Sequence, residues 1–282
     1  MIKSFAQLYN FNGDFDKISL ENNIKIRKIT EFEKQQLKEM FDKELTISIS
    51  QQIDYFKYGI FYEREIDNND EVQVIKKVVL YLRLYKNGDV NHNGILSILP
   101  ADKKRGLFSH SMCGSIGKNY YLSKDSINNL KRLFKKLYQS KVDINQPVFN
   151  RFFNLAKNAW PEESILDYII IIESLFGENT QEITYKLSMR VSYILSQVFN
   201  DSRLKVFDNI HNSYSKIRSK LVHAGKIKLN HNELMKYRAI LEDYCRKLLL
   251  LYVLNENMFN DKKFNRNVDK AINLNQKICF QY

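Results

Sequence analysis

Hydrophobic periodicity changes character once along this chain, near residue 118, and the change limits what each part can become. Before it, apolar residues alternate with polar ones and turn residues recur; after it, apolar residues return every three to four positions. Period two builds half-buried strands, and period 3.6 builds amphipathic helices. The reading is therefore an α+β N-terminal domain over residues 1–118, an all-α antiparallel bundle over 119–256, and a C-terminal tail over 257–282. In the first domain, Thr30 to Lys43 reads as a short helix. Leu45 to Ser50 and Val72 to Tyr85 read as strands rich in β-branched and aromatic residues. The turn Lys86-Asn87-Gly88-Asp89 predicts a hairpin pairing Val78–Tyr85 with a strand near Ile95–Leu99, because Asn and Gly tolerate positive φ.

The second part is punctuated by helix boundaries. Ser123 or Asp125 opens a helix whose apolar face is Ile127, Leu130, Phe134 and Leu137. Pro147 starts another with Phe149, Phe152, Phe153 and Ala156, and Pro161 starts a third that runs to Gly177. A fourth begins at Asn179 with Glu182 at its third position and carries Ile183, Leu187, Ile194 and Val198 to Asn200. A fifth, from about Ser202 to Ala224, buries Val206 or Phe207, Ile210, Tyr214, Ile217 and Leu221, and Gly225 ends it. The last runs from Asn230, with Glu233 three positions on, through Leu234, Leu241, Tyr244, Leu248 and Leu251. The tail is expected to be flexible or to add an edge strand at Ile278–Tyr282.

Composition narrows the functional classes. The chain has 282 residues, of which 44% are hydrophobic and 13% aromatic, ample for a packed core. Its longest apolar runs, Tyr168–Ile172 and Leu248–Leu254, fall far short of the ~20 residues a spanning helix needs, and no signal-peptide core follows Met1. A cytoplasmic protein with no membrane partner is expected. Cys113, Cys245 and Cys279 are too scattered for a disulfide framework or a zinc knuckle, and neither metal nor cofactor is expected. The formal charge is +12, and residues 201–282 carry 16 Lys and Arg against 8 Asp and Glu. No acid occurs from Asn209 to Asn232, where Lys216, Lys220, Lys226 and Lys228 surround one motif. Such a stretch draws in a polyanion such as RNA; the plainer alternative is a solvated helix face.

That motif is Arg218-Ser-Lys-Leu-Val-His223. A guanidinium holds phosphate through a planar fork of donors, and an imidazole moves protons near neutral pH without a metal, so Arg218 and His223 are candidate catalytic residues for RNA cleavage. On a continuous α-helix a five-residue offset leaves the two about 140° apart and about 7.5 Å apart along the axis. A symmetric dimer would bring two copies of each around one phosphodiester. Ser219 could orient the imidazole or touch phosphate, and as an exposed helix serine it could equally do neither. Glu173 interrupts a run of isoleucines and calls for a paired cation, with Arg190, Arg151 or Arg218 the candidates. His211, seven residues before Arg218, would lie nearly in line with it, and Tyr214, Tyr237 and Tyr244 could stack bases or fill the core. A second pair of the same spacing, Arg105 and His110, falls among Gly106, Gly114 and Gly117 in what reads as an irregular loop.

Several segments resemble the HEPN superfamily, and within it the Apea-like branch. Asn150-Arg-Phe-Phe-Asn-Leu-Ala156, Asp167-Tyr-Ile-Ile-Ile-Ile-Glu173-Ser-Leu-Phe176 and Tyr185-Lys-Leu-Ser-Met-Arg190-Val-Ser-Tyr-Ile-Leu195 stand in that family's order ahead of the Arg218–His223 element. Ile26–Glu33 and Leu84–Asp89 are similar to the N-terminal portion often joined to such modules. The resemblance implies a HEPN-like helical bundle and a homodimer with a composite active site. It also implies a metal-independent endoribonuclease of bacterial anti-phage defence or a toxin system, answering to a phage-derived or cognate protein trigger. The N-terminal domain would act as sensor or substrate selector. Non-catalytic members bind RNA, a nucleotide or a partner protein, and that is the alternative implied. Ser219 departs from the Asn, Asp or His that many active members carry there, and Ala224 stands where the family pattern has glycine, with Gly225 next.

Overall fold

The computed structural model describes residues 1–44, 56–65, 70–92, 94–98, 104–108, 118–155, 160–178, 182–223 and 229–282. Its contacts divide the chain into two compact units, Met1–Gln139 and Ser140–Tyr282. The first is α+β and the second helical. The division falls after Gln139 and not near residue 118, because the first long helix after the change of periodicity packs within the sheet unit.

Six strands form the main sheet of the first unit: β1 (Ile2–Gln7), β3 (Lys17–Ser19), β4 (Ile24–Lys28), β5 (Tyr58–Arg64), β6 (Gly94–Ile98) and β7 (Lys104–Phe108). Their order is β3-β4-β5-β1-β6-β7, and every neighbouring pair is antiparallel. Strands β2 (Phe11–Gly13) and β8 (Tyr120–Leu122) make a separate parallel pair. Alternation sends successive residues of β1 to opposite faces. Phe5, opposite Phe61 and Leu96, joins Leu37 of helix α1 (Glu31–Glu44) in one buried cluster. Ser4, opposite Tyr62 and Ser97, faces a buried polar group: Arg64 is 2.7 Å from Glu71, and the Ser4 and Ser97 hydroxyls are 2.7 Å apart. Glu71 opens helix α2 (Glu71–Tyr85), so α1 and α2 cover opposite faces.

Helix α2 corrects the hairpin expected from Val72 to Tyr85. Every residue from Val78 to Leu84 is buried, and a segment enclosed on all sides shows no clean period; its row Ile75, Val78, Val79 and Leu82 was the helical signal. The Asn87-Gly88 turn reverses the chain after this helix, with Gly88 at φ 151°, where a side chain would press on Tyr120. Strand β6 exists as expected, but its partners are β1 and β7. Arg105 lies in β7 and not in an irregular loop; Gly106 sits opposite Leu96 and is tolerated because β7 is an edge strand. His110 and the strand expected at Leu45–Ser50 lie outside the described residues. A 3₁₀ turn (Lys124–Ser126) then leads into α3 (Ile127–Gln139), which buries Leu130, Phe134 and Leu137.

The second unit holds α4 (Pro147–Leu155), α5 (Pro161–Phe176), α6 (Ile183–Phe199), α7 (Arg203–Asn212), a π-helical turn (Ser213–Arg218), α8 (Ser219–His223), α9 (His231–Leu254), α10 (Glu256–Phe259) and α11 (Phe264–Asn273). Helix α5 packs on α4 and α9, and α6 packs on α7 and α11. The anticipated caps are in place at Pro161, at Ser202, which accepts from Lys205 N, and at Asn230, whose reciprocal bonds with Glu233 complete a capping box. Glu182 is itself the N-cap of α6, at φ 67°, and not its third residue. Gly177 ends α5 as expected, at φ −69° and so outside the left-handed region; its small size matters because a side chain would strike the Glu173 carbonyl.

Residues 257–282 depart from both forms expected of them. They carry α11 and no strand, because Phe264, Val268 and Ala271 form a buried stripe and Arg190 of α6 holds Asp269 through two hydrogen bonds of 2.8 and 2.7 Å. The last residues are tied by Gln281 N to Asn255 Oδ1 (2.7 Å) and Ile278 N to Gln197 Oε1 (3.2 Å). Among the described residues no helix is long and apolar enough to cross a membrane.

Candidate functional site

The Arg-His motif sits on a helical run whose middle is wound differently from its ends. Within Ser213–Arg218 the hydrogen-bond ladder shifts, so that Ser219 N reaches the Tyr214 carbonyl five residues back. Local sequence supplies a cause. Ser213 and Ser215 turn their hydroxyls back onto the carbonyls of Asn209 (2.6 Å) and His211 (2.8 Å), giving those carbonyls side-chain donors and loosening the ordinary ladder. A one-residue slip turns the downstream side chains by about 100° relative to an unbroken α-helix.

The slip decides what Arg218 faces. His211 and Arg218, expected in line, leave their common face: His211 is exposed and stacks on Phe207, with centroids 5.9 Å apart, while Arg218 meets α5. There its Nη2 lies 3.2 Å from Glu173 Oε1, with the two side chains 27% and 18% exposed. Of the three arginines that sequence offered to Glu173, the fold selects this one. Arg190 instead holds Glu178 (3.0 Å) and Asp269 (2.7 Å), and Arg151 pairs with Asp167. A part-exposed ion pair of this kind is worth on the order of 1 kcal/mol.

Tyr214 completes the cluster. Its ring centroid lies 4.9 Å from the Arg218 guanidinium carbon, and its hydroxyl adjoins the Glu173 carboxylate. Burial first, then the adjoining Glu173 carboxylate, push the phenol up to about 12, with Arg218 opposing. The Arg218 guanidinium is thus steadied from two sides, yet its partners are few. Among the described residues its Nε is buried with no hydrogen-bond partner, and the approach of Glu173 Oε1 is a charge contact without hydrogen-bond geometry. The acid-free stretch of sequence is therefore not acid-free in space, since α5 delivers one carboxylate to it.

The other candidates are distributed along the run. Ser219 is half-buried directly after Arg218, and Lys216 and Lys220 are exposed. His223 ends α8; its side chain, together with Lys226 and Lys228, lies outside the described residues. Tyr244 is buried and accepts from Asn209 Nδ2 at 3.0 Å, which makes it a core residue, and Tyr237 is half-buried. Sequence reasoning gave Tyr214 only as a base-stacking or core residue and missed its contact with Glu173; its place four residues before Arg218 was the available signal.

Among the described residues no group of three or more His, Cys, Asp or Glu side chains is gathered closely enough to hold a metal ion. Comparisons with family models, with curated proteins and with solved structures return no match. What the arrangement can do chemically therefore rests on its own geometry: a half-exposed, ring-backed guanidinium with spare donors, next to exposed lysines, five residues before a histidine.

Proposed function

We propose that this chain is a metal-independent endoribonuclease of the HEPN type, with an Apea-like helical bundle in its second unit. The observation that carries the reading is the undersaturated Arg218, held in place by Glu173 and Tyr214 but not consumed by them, at the head of the Arg218–His223 element. In the proposed reaction His223 takes the proton from a ribose 2′-hydroxyl, and the 2′-oxygen attacks the adjacent phosphorus. The bond to the 5′-oxygen breaks, and that oxygen leaves with a proton from a second imidazole. Arg218 neutralises charge that builds on the phosphate in the transition state. The products are a 2′,3′-cyclic phosphate and a 5′-hydroxyl.

Two copies of the chain are part of the proposal. Residues Ser219–His223 are α-helical, so the wide angular offset between Arg218 and His223 persists, and a homodimer supplies the second pair to one composite cleft. Glu173 and Tyr214 position Arg218, Ser219 borders it, and Lys216, Lys220, Lys226 and Lys228 hold the RNA backbone. The setting that fits is bacterial anti-phage defence or a toxin system in the cytoplasm, with the first unit as sensor or substrate selector. The second reading is a non-catalytic module binding RNA, a nucleotide or a partner protein, favoured by the Glu173 contact that competes with phosphate for Arg218.

Purified wild type, Arg218→Ala and His223→Ala, each incubated with total bacterial RNA and with a 2′-deoxy control, test the reading. Cleavage by the wild type alone, restricted to substrates bearing a 2′-hydroxyl, supports it. Cutting retained in His223→Ala, or cutting of the deoxy control, overturns it, and tight RNA binding with no cutting by the wild type leaves the module reading in its place.

A further inference from the structure

An open groove lies between α6 and α7, apart from the Arg218 cluster. It holds about 500 Å³ and is lined by Tyr185, Met189 and Ser192 from α6 and by Arg203, Leu204 and Phe207 from α7. Leu204 is 72% and Tyr185 53% exposed, a costly display of apolar surface for a helix pair packed along its length. The rings are ordered against one another: Tyr185 meets Phe207 edge-on at 5.9 Å, and Phe207 stacks on His211. Arg203, at the mouth, lies over the Tyr193 ring at 5.4 Å and has no carboxylate partner among the described residues.

We infer that this groove is a subsite for one unpaired RNA base, with Arg203 on the adjoining phosphate. The inference rests on the endoribonuclease reading and adds a determinant of which RNA that site accepts. Four observations favour a base over other occupants. The volume is that of a small-ligand site. The walls offer aromatic and thioether surface to a flat ring, and the guanidinium at the rim, without a carboxylate among the described residues, offers charge to a phosphate, the pairing of features that single-stranded nucleic acid uses. The surrounding charge is net complementary, since Lys205, Lys216 and Lys220 are exposed on the same helical run against one exposed acid there, Asp208. Position completes the argument: Phe207 precedes Arg218 by eleven residues, about 16 Å along the axis, so the groove takes a base neighbouring the scissile bond and not the one at it. Base-paired RNA hides its ring faces and is not accommodated.

Fluorescence anisotropy with a short 2′-O-methyl oligonucleotide, which cannot be cleaved, tests the subsite independently of catalysis. Tyr185→Ala is expected to weaken single-strand binding by about ten-fold and to leave duplex binding unchanged, and Tyr185→Phe to restore it. Arg203→Ala is expected to lower the slope of log affinity against log salt by about one. Both side chains are exposed, so neither change threatens folding. Unchanged affinity in Tyr185→Ala and an unchanged salt slope in Arg203→Ala overturn the subsite even where the protein cuts RNA. Binding that depends on the groove in a wild type that cuts nothing supports the subsite and overturns the endoribonuclease reading instead.

Discussion

Arg190 and Arg218 sit on neighbouring stretches of the helical unit, and both face carboxylates, yet one is saturated and the other is not. Arg190 is 1% exposed and spends its donors on Asp269, Glu178 and the Phe176 carbonyl, all at 2.7 to 3.0 Å. Arg218 is 27% exposed and, among the described residues, has one carboxylate at 3.2 Å without hydrogen-bond geometry and leaves Nε without a hydrogen-bond partner. A buried guanidinium with a full set of acceptors is a fastener, here joining α6 to α11 and the end of α5. A half-exposed guanidinium backed by a ring and one charge remains available to a ligand.

The two should respond to removal in opposite ways. The largest effect belongs to Arg218→Ala: RNA cleavage falls at least about 100-fold, the usual scale for losing a donor to a developing oxyanion, with the melting temperature lowered by only a few degrees. Equal losses of activity and stability would erase the contrast. Next comes Arg190→Ala, which should lower unfolding free energy by about 2–3 kcal/mol in urea titration. That is below the full cost of orphaning a buried charge, because Glu178 and Asp269 remain 38% and 40% exposed and can rehydrate. Hydrogen exchange should speed first in Phe264–Asn273, the helix that Arg190 fastens.

A double-mutant cycle on Glu173→Gln and Arg218→Ala sharpens the comparison further, with a coupling of about 1 kcal/mol expected from the part-exposed pair and a salt dependence to match. The smallest effect concerns Tyr214. Its phenol is raised to about 12 in the fold, so the folded protein holds that proton more tightly than the unfolded chain does. The resulting stability is complete below the ordinary tyrosine range near pH 10 and is lost as pH rises towards 12. Tyr214→Phe should remove part of this alkaline loss and one late phenol from the ultraviolet titration; loss of a phenol that titrates near 10 instead would show Tyr214 to be exposed.

The arginine contrast also marks the limit of what can be read in the residues alone. Helix starts are legible wherever a single residue type carries the signal: Pro161, Ser202, and the Asn230–Glu233 box all sit where local chemistry demands. The inward face Val206, Ile210, Tyr214 and Ile217 is legible from spacing. Helix α2 reads wrongly as a strand because Val78 to Leu84 is enclosed on every side, so β-branched propensity masks the helical row Ile75, Val78, Val79 and Leu82, and tertiary context overrides that propensity. Glu173 announces that it needs a cation but cannot say which, since Arg151, Arg190 and Arg218 are all near enough in sequence order and only packing of α5 on the π-turn selects one. The π-turn itself depends on where Ser213 and Ser215 send their hydroxyls, and no spacing rule reports that. Likewise the groove requires two helices to be placed side by side before Tyr185 and Phe207 can be seen as one wall.

The most direct test is inducible expression of wild type and His223→Ala in bacteria, followed by sequencing of RNA 5′-hydroxyl ends. Discrete new ends with arrested growth in the wild type, and neither in His223→Ala, are the predicted result. The same ends in both strains would contradict the account.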